Sequence, residues 1–343
     1  MRVGVAPLRI GILGAATIAP MALLRPAREV AEAEAFAVAA RDPARAARFA
    51  KKHGIPRVHA SYDALLADPE IDAVYNPLPN GLHCAWTLRA LEAGKHVLCE
   101  KPLASNADEA SRMAEAAQRA GRVLIEAFHW RHHPLASRMR EILRAGEIGE
   151  VRHVEASTCI PMLMPGNIRF RYELGGGALM DIGSYAVNMV RWLAEAEPEV
   201  VSAEARLSSP KVDRWLRAEL RFADGRTGRI TSSLFSATLL RLENRVEGSR
   251  GTLRVFNPLA PHFYHRLTVE AEGQRRRERV PGEATYTHQL RHFVARVRGA
   301  PPGPAEARDG VANMRAIDAI YRAAGLPRRG ESASSAASTT STT

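Results

Sequence analysis

LRIGILGAATIA, residues 8–19, is a short apolar run that breaks at a glycine and continues into small residues. A strand buried inside a parallel sheet is apolar on both faces in this way. The glycine marks a tight turn, and a helical stretch follows through about Val30. The uncharged residues 10–24 behind Arg2 and Arg9 also fit the apolar region of a secretory leader. What comes next decides for the strand. Residues 35–39, 73–76, 96–99 and 123–127 read as further strands. Between them lie helical segments at 43–53, 62–67, 83–93 and 108–120. Asp42 and Gly54 are a cap and a stop for the first of these helices. Strands and helices alternating at such short intervals imply a doubly wound parallel sheet covered on both faces.

After Phe128 the pattern changes. Residues 134–145, 178–193, 286–297 and 305–324 read as helices, and 151–158, 215–222, 227–233, 239–246 and 252–256 as strands. Asp224-Gly225 between two such strands is a hairpin signal, so a largely antiparallel sheet is expected here. The chain therefore divides into a wound unit over 1–127, an α+β unit over 128–326 and a polar tail over 327–343, expected to be disordered. A chain of 343 residues buries a sizeable core without disulfides or metal staples. Cys84, Cys99 and Cys159 fit the reduced thiols of a cytoplasmic protein. The net charge of +11 raises nucleic acid as a partner. The basic residues are scattered, however, with one cluster at Arg275, Arg276 and Arg277, and aromatics are only 6% of the chain. Without a basic stripe interleaved with aromatics, nucleic acid is set aside. No segment has the length for an easy membrane span, so no membrane partner is expected.

Four segments carry residues suited to chemistry. Gly14, Ala16, Thr17 and Ile18 lie in a turn of pattern G-x-A-x-x-A. There a dinucleotide pyrophosphate would meet backbone N–H groups, although a plain strand–helix turn has the same residues. At the end of the second strand stands Arg41, without the acid that contacts the ribose 2′-hydroxyl in NAD binders. A guanidinium at that place suits a 2′-phosphate, or is one surface arginine among many. Lys101 lies in Cys99-Glu100-Lys101-Pro102-Leu103, at the carboxyl end of a strand, and is one of five lysines. A lysine, unlike an arginine, can exchange a proton there; on composition alone a solvated lysine is the simpler reading. Finally, GGGALMDIGSY, residues 175–185, leads into a helix bearing Asp181 and Tyr185 four residues apart. That spacing puts both side chains on one face. They suit either the orientation and protonation of a substrate oxygen or a dipole-favoured acid beside a packed tyrosine. His129, His132 and His133 crowd together, but their spacing fits no zinc set, and no metal is expected.

Taken with YNPLPNGLH, AGKHVLCEKPL, EAFHWRHHP, IRFRYELGGGALMDIGSY and EGSRGTLRV, the chain resembles the Gfo/Idh/MocA family of oxidoreductases over residues 8–325. Within it, the chain is most similar to dimeric dihydrodiol dehydrogenases and NADP-dependent aldose (xylose-type) dehydrogenases. The resemblance implies a Rossmann NAD(P)-binding domain over 1–127 and a C-terminal substrate domain over 128–326. The open sheet of such a domain often forms the subunit interface, which implies a homodimer or homotetramer. It also implies NADP(H) as the preferred cofactor, with NAD(H) possible, and hydride transfer at a carbinol or carbonyl carbon of a sugar, polyol or cyclic diol. By position, Lys101, Asp181 and Tyr185 fall on the family's catalytic residues. Gly14, Ala16, Thr17 and Ile18 fall in its phosphate turn and Arg41 at its 2′-phosphate position. Pro77, Asn80 and His83 match the loop bordering the nicotinamide ribose, and Glu100 and Pro102 flank the lysine. His129, Arg131 and Arg169 match positions lining or supporting the substrate cleft. An NADPH-binding sensor without turnover and a redox-neutral sugar-modifying enzyme with retained cofactor are the alternatives.

Overall fold

The computed structural model describes residues 6–162, 167–303 and 305–330. The first strand, β1 (Leu8–Leu13), is buried along almost its whole length, as its two-sided apolar pattern requires. It leads through a π-helical turn, Pro20–Leu24, into α1 (Arg25–Glu29). Then come β2 (Ala33–Ala39), α2 (Pro43–His53), β3 (Arg57–His59), α3 (Tyr62–Leu66) and β4 (Ala73–Asn76). α4 (His83–Glu92), β5 (His96–Cys99), α5 (Ala107–Ala120) and β6 (Leu124–Glu126) complete the wound unit. Asp42 caps α2 by accepting the Ala44 N–H at 2.9 Å, and Gly54, at φ +72°, ends it.

The six strands pair in parallel in the order β3-β2-β1-β4-β5-β6. The winding reverses between β1 and β4. A crevice therefore opens at the carboxyl ends of those two strands, the place where such sheets take ligands.

The second sheet follows α6 (Pro134–Arg144) and starts with β7 (Val151–Cys159). After α7 (Ser184–Ala194) come β8 (Glu199–Ser209), β9 (Val212–Arg221), β10 (Thr227–Ser233), β11 (Arg241–Gly248), β12 (Gly251–Phe256), β13 (Arg266–Ala271) and β14 (Gln274–Glu278). The order is β14-β13-β12-β11-β7-β10-β9-β8. Every pairing is antiparallel except β10 with β7, so the sheet is mixed. The Asp224-Gly225 turn joins β9 to β10, with Gly225 at φ +86°. The expected helix over 178–193 divides into a π-helical turn, Leu179–Gly183, and α7.

α8 (Thr285–Val297) and α9 (Ala307–Ala323) return to the first unit. α9 packs on α5. Glu126 donates its N–H to the Ala305 carbonyl at 3.0 Å, which adds this returning chain to the edge of β6. One apolar core runs through both units.

The tail is a correction. Disorder was expected from 327 onward, yet Arg329 is fully buried, because Asp213 and the Gly176 carbonyl bind its guanidinium. Residues 331–343 of that expectation lie outside the described residues. Among the described residues, no helix is long and apolar enough to cross a membrane, and no group of side chains has the arrangement of a metal site.

Candidate active site

The glycine turn occupies the crevice. Gly14 has φ +92°, a conformation that favours glycine, and a Cβ there would sit 3.1 Å from Leu78 Cδ2. Its N–H is taken by the Ala39 carbonyl at 2.7 Å. Among the described residues, the N–H groups of Ala16, Thr17 and Ile18 meet no acceptor. Unclaimed amides leading into a helix form a ready cradle for an anion. Arg41 is exposed beyond the end of β2. Arg45, in the first turns of α2, donates Nη2 to the Ala15 carbonyl at 2.9 Å and so stands at the same turn. Tyr62 lies beside both arginines; burial raises the pKa of its phenol against their pull. Only Arg41 of these three was expected here. The signal for Arg45 was its place in the first turns of a helix that begins at the carboxyl end of β2.

The loop after β4 is braced from behind. Pro77 is buried within it. His83 is fully buried, with Nδ1 2.9 Å from the Pro102 carbonyl and Nε2 2.7 Å from the Leu78 carbonyl. With a single proton on the neutral ring it donates to one of these carbonyls, and it wedges between the loops after β4 and β5 with both nitrogens enclosed by protein. Burial outweighs the pull of the two carbonyls and lowers its pKa to about 4. Asn80 instead reaches across to the second unit, donating Nδ2 to the Gly175 carbonyl at 3.0 Å. The approach is close: a Cβ on Gly81 would come 2.9 Å from the Glu173 carbonyl oxygen.

At the end of β5, Glu100 is buried and accepts the Tyr75 hydroxyl at 2.7 Å. Burial raises its pKa against the opposing charge of Lys101. Lys101 crosses to the second unit. Its Nζ donates to the Asp181 main-chain carbonyl at 2.6 Å and lies 3.5 Å from Asp181 Oδ1. The other carboxylate oxygen, Oδ2, accepts Arg169 Nε at 2.7 Å. One carboxylate thus stands between two cations. The Lys101 ammonium also lies 5.0 Å from the ring centroid of Tyr185, within reach of its π face. Tyr185 is buried, and desolvation together with neighbouring acids puts its phenol well above the usual pKa. It keeps its proton at neutral pH and is a donor in that state.

His129 meets Tyr185 edge-on at 5.7 Å, overlaps Tyr286 at 4.0 Å and places Nδ1 2.8 Å from Thr285 Oγ1. Burial, with Lys101 adding to it, lowers its pKa to about 3, so the ring is neutral. Lys101, Asp181, Arg169, Tyr185 and His129 therefore converge, fed by two separate units of the chain. Arg131 belongs elsewhere. Its buried guanidinium pairs with Asp309, which also binds Arg191, and it lies over the Trp192 ring at 4.5 Å. Thr285 and Tyr286, at the start of α8, were missed in the sequence because nothing local marks them; only the return of α8 brings them to His129.

Residues 8–128 match the Oxidoreductase family, NAD-binding Rossmann fold, model, and residues 136–254 match the GFO/IDH/MocA C-terminal domain model. The chain is 36% identical over 320 residues to D-xylose 1-dehydrogenase (NADP(+)) 2 of Haloferax volcanii, covering 92% of this chain and 96% of that protein. It is 35% identical over 224 residues to trans-1,2-dihydrobenzene-1,2-diol dehydrogenase of Xenopus laevis, covering 65% of this chain and 67% of that one. Its fold superposes with a TM-score of 0.87 on a 3-ketoreductase from Actinomadura kijaniata in complex with NADP and TDP-benzene, at 31% identity, over 92% of this chain and 98% of that chain. Sequence and fold agree, and the chain is an oxidoreductase of the Gfo/Idh/MocA family.

Proposed function

We propose that this protein is an NADP(H)-dependent oxidoreductase acting at a carbinol or carbonyl carbon of a sugar, polyol or cyclic diol. The observation that carries this reading is the Lys101–Asp181–Tyr185 cluster, placed at the carboxyl end of β5 and closed by the second unit. The free amides of Ala16, Thr17 and Ile18 fit the pyrophosphate of a dinucleotide, and Arg41 and Arg45 fit its 2′-phosphate. Asn80 would border the nicotinamide ribose, while Pro77, His83 and Glu100 would hold the loops in place. A bound nicotinamide supplies the hydride acceptor or donor. The chain's own residues handle the proton. Lys101 and Tyr185 hold the reacting oxygen and pass its proton between them and solvent as a coupled pair. Asp181, with Arg169 on its far oxygen, keeps the Lys101 ammonium aimed. His129, neutral and stacked, would pack against the substrate without competing for its proton.

We also propose residues 1–127 as the nucleotide-binding domain and 128–326 as the substrate domain, with a second copy of the chain on the open sheet. Three buried, unpaired cysteines support a reducing, cytoplasmic setting. The test is NADPH formation or consumption with purified protein against D-xylose and other aldoses, cyclic polyols and dihydrodiols. Turnover with NADP(H) in one of these classes is expected. No turnover in any class, together with tight NADPH binding, would replace this reading with that of a sensor.

A further inference from the structure

Behind the cleft, one buried ion pair grips the segment that delivers Asp181. Arg329 and Asp213 are both fully buried, and Nη2 meets Oδ1 at 2.8 Å. Arg329 Nε donates to the Gly176 carbonyl at 2.7 Å, and Nη1 donates to the Pro327 carbonyl at 3.0 Å. Its guanidinium lies over the Tyr321 ring at 4.1 Å. Asp213 Oδ1 also accepts the Tyr321 hydroxyl at 3.0 Å. Asp213 Oδ2 accepts the Leu179 N–H at 2.7 Å, the amide that opens the π-helical turn carrying Asp181.

The two partners therefore hold the backbone on either side of Gly177. That glycine has φ +134°, and a Cβ on it would come 2.2 Å from Asp213 Oδ1 and 2.8 Å from Arg329 Nη2. The chain wraps around the pair so tightly that only a hydrogen fits. The wrap extends to Arg169, whose carbonyl accepts the Gly177 N–H at 2.8 Å. Arg329 is anchored in turn to the first unit: Asn106, the cap of α5, donates Nδ2 to its carbonyl at 2.9 Å.

Burying two charges carries a desolvation cost that a packed apolar pair does not. What the ions add is direction, through bonds to one backbone carbonyl and one backbone amide flanking the glycine. We infer that Arg329 and Asp213 are positioning residues, which set Asp181 and Arg169 against Lys101. The inference rests on the reading of Lys101 and Asp181 as the working pair. The segment after α9 is thus a clasp on the cleft.

The chain's five lysines, Lys51, Lys52, Lys95, Lys101 and Lys211, make this testable on the full chain without cofactor or substrate. Limited acetylation with acetic anhydride, read by peptide mass spectrometry, gives the relative reactivity of each. Lys95 is the internal reference for global opening, because its Nζ is bonded within the first unit to the Asp68 and Ile71 carbonyls. Arg329→Met should raise Lys101 acetylation by about fivefold or more over wild type, with Lys95 unchanged, as local opening exposes the amine. Asp213→Asn keeps an acceptor for Leu179 and should give a smaller rise in the same direction. Unchanged Lys101 reactivity in the folded variants would overturn the assignment. So would a joint rise of Lys95 and Lys101, or failure of both variants to fold, since either marks the pair as serving the fold alone. Absence of sugar turnover would leave the labelling result standing, so the two readings fail separately.

Discussion

The two ends of β5 carry two lysines with different tasks, one buried and one partly buried. Lys95, just before the strand, is 7% exposed and donates Nζ to the Asp68 and Ile71 carbonyls, both at 2.7 Å. Both partners are main-chain atoms of its own unit, and burial lowers its pKa. Lys101, just past the strand, reaches out of its unit to Asp181 and lies beside Tyr185. Burial and a shifted proton affinity therefore do not mark a working lysine. The end of the strand and the partner do. At the amino end of β5, Lys95 is held by two carbonyls of its own unit. At the carboxyl end a lysine faces the crevice where the winding reverses.

Acid gives the largest effect with which to sharpen this contrast. The carboxyl end is braced by His83, whose folded pKa is about 4 against an ordinary 6.5. Between those values the unfolded chain binds a proton that the folded chain refuses. Stability should therefore fall as pH drops from about 6.5 to 4, by about 3 kcal/mol from this one group. His133, also held near 4, adds a loss of the same sign. Urea melts at neutral pH and at about pH 4.5 check this, and a flat stability across that window would contradict it. Lys95→Met comes next. It leaves two buried carbonyls without a donor and should cost about 1–3 kcal/mol in the same melts, with turnover per folded molecule unchanged. The smallest effect lies at the turn after β1. Arg41→Ala and Arg45→Ala should each weaken NADPH binding about tenfold in a fluorescence titration and leave NADH binding nearly unaltered. An equal loss for both nucleotides would remove the 2′-phosphate from their role.

The wound unit was legible because its elements are local and punctuated. Gly14 sits at the left-handed turn where its place after β1 put it, and Asp42 and Gly54 bound α2 as expected. In the second unit the edge strands were harder. β8 and β14 are the two edges of the sheet, largely exposed with little apolar surface to bury, and they carry no strong strand signal. Lys101, Asp181, Tyr185, Arg169 and His129 were all named from the sequence, and the structure brings them together. Arg131 was named too and lies in a separate ion pair, because Asp309, 178 residues away, competes for it. Asp213 and Arg329, 116 residues apart, had no local pattern to announce them. Such pairs become visible only when topology closes.

The most direct test is a side-by-side measurement of NADP-linked turnover for the wild type, Lys101→Met and Lys95→Met, on the best substrate from the aldose, polyol and diol screen. NADPH binding, measured in parallel, confirms that each variant is folded. Lys101→Met should lose about 10²–10⁴ in kcat while binding NADPH normally, and Lys95→Met should keep the wild-type kcat. Wild-type turnover in a folded Lys101→Met protein would contradict the assignment of the proton-handling site to the carboxyl end of β5.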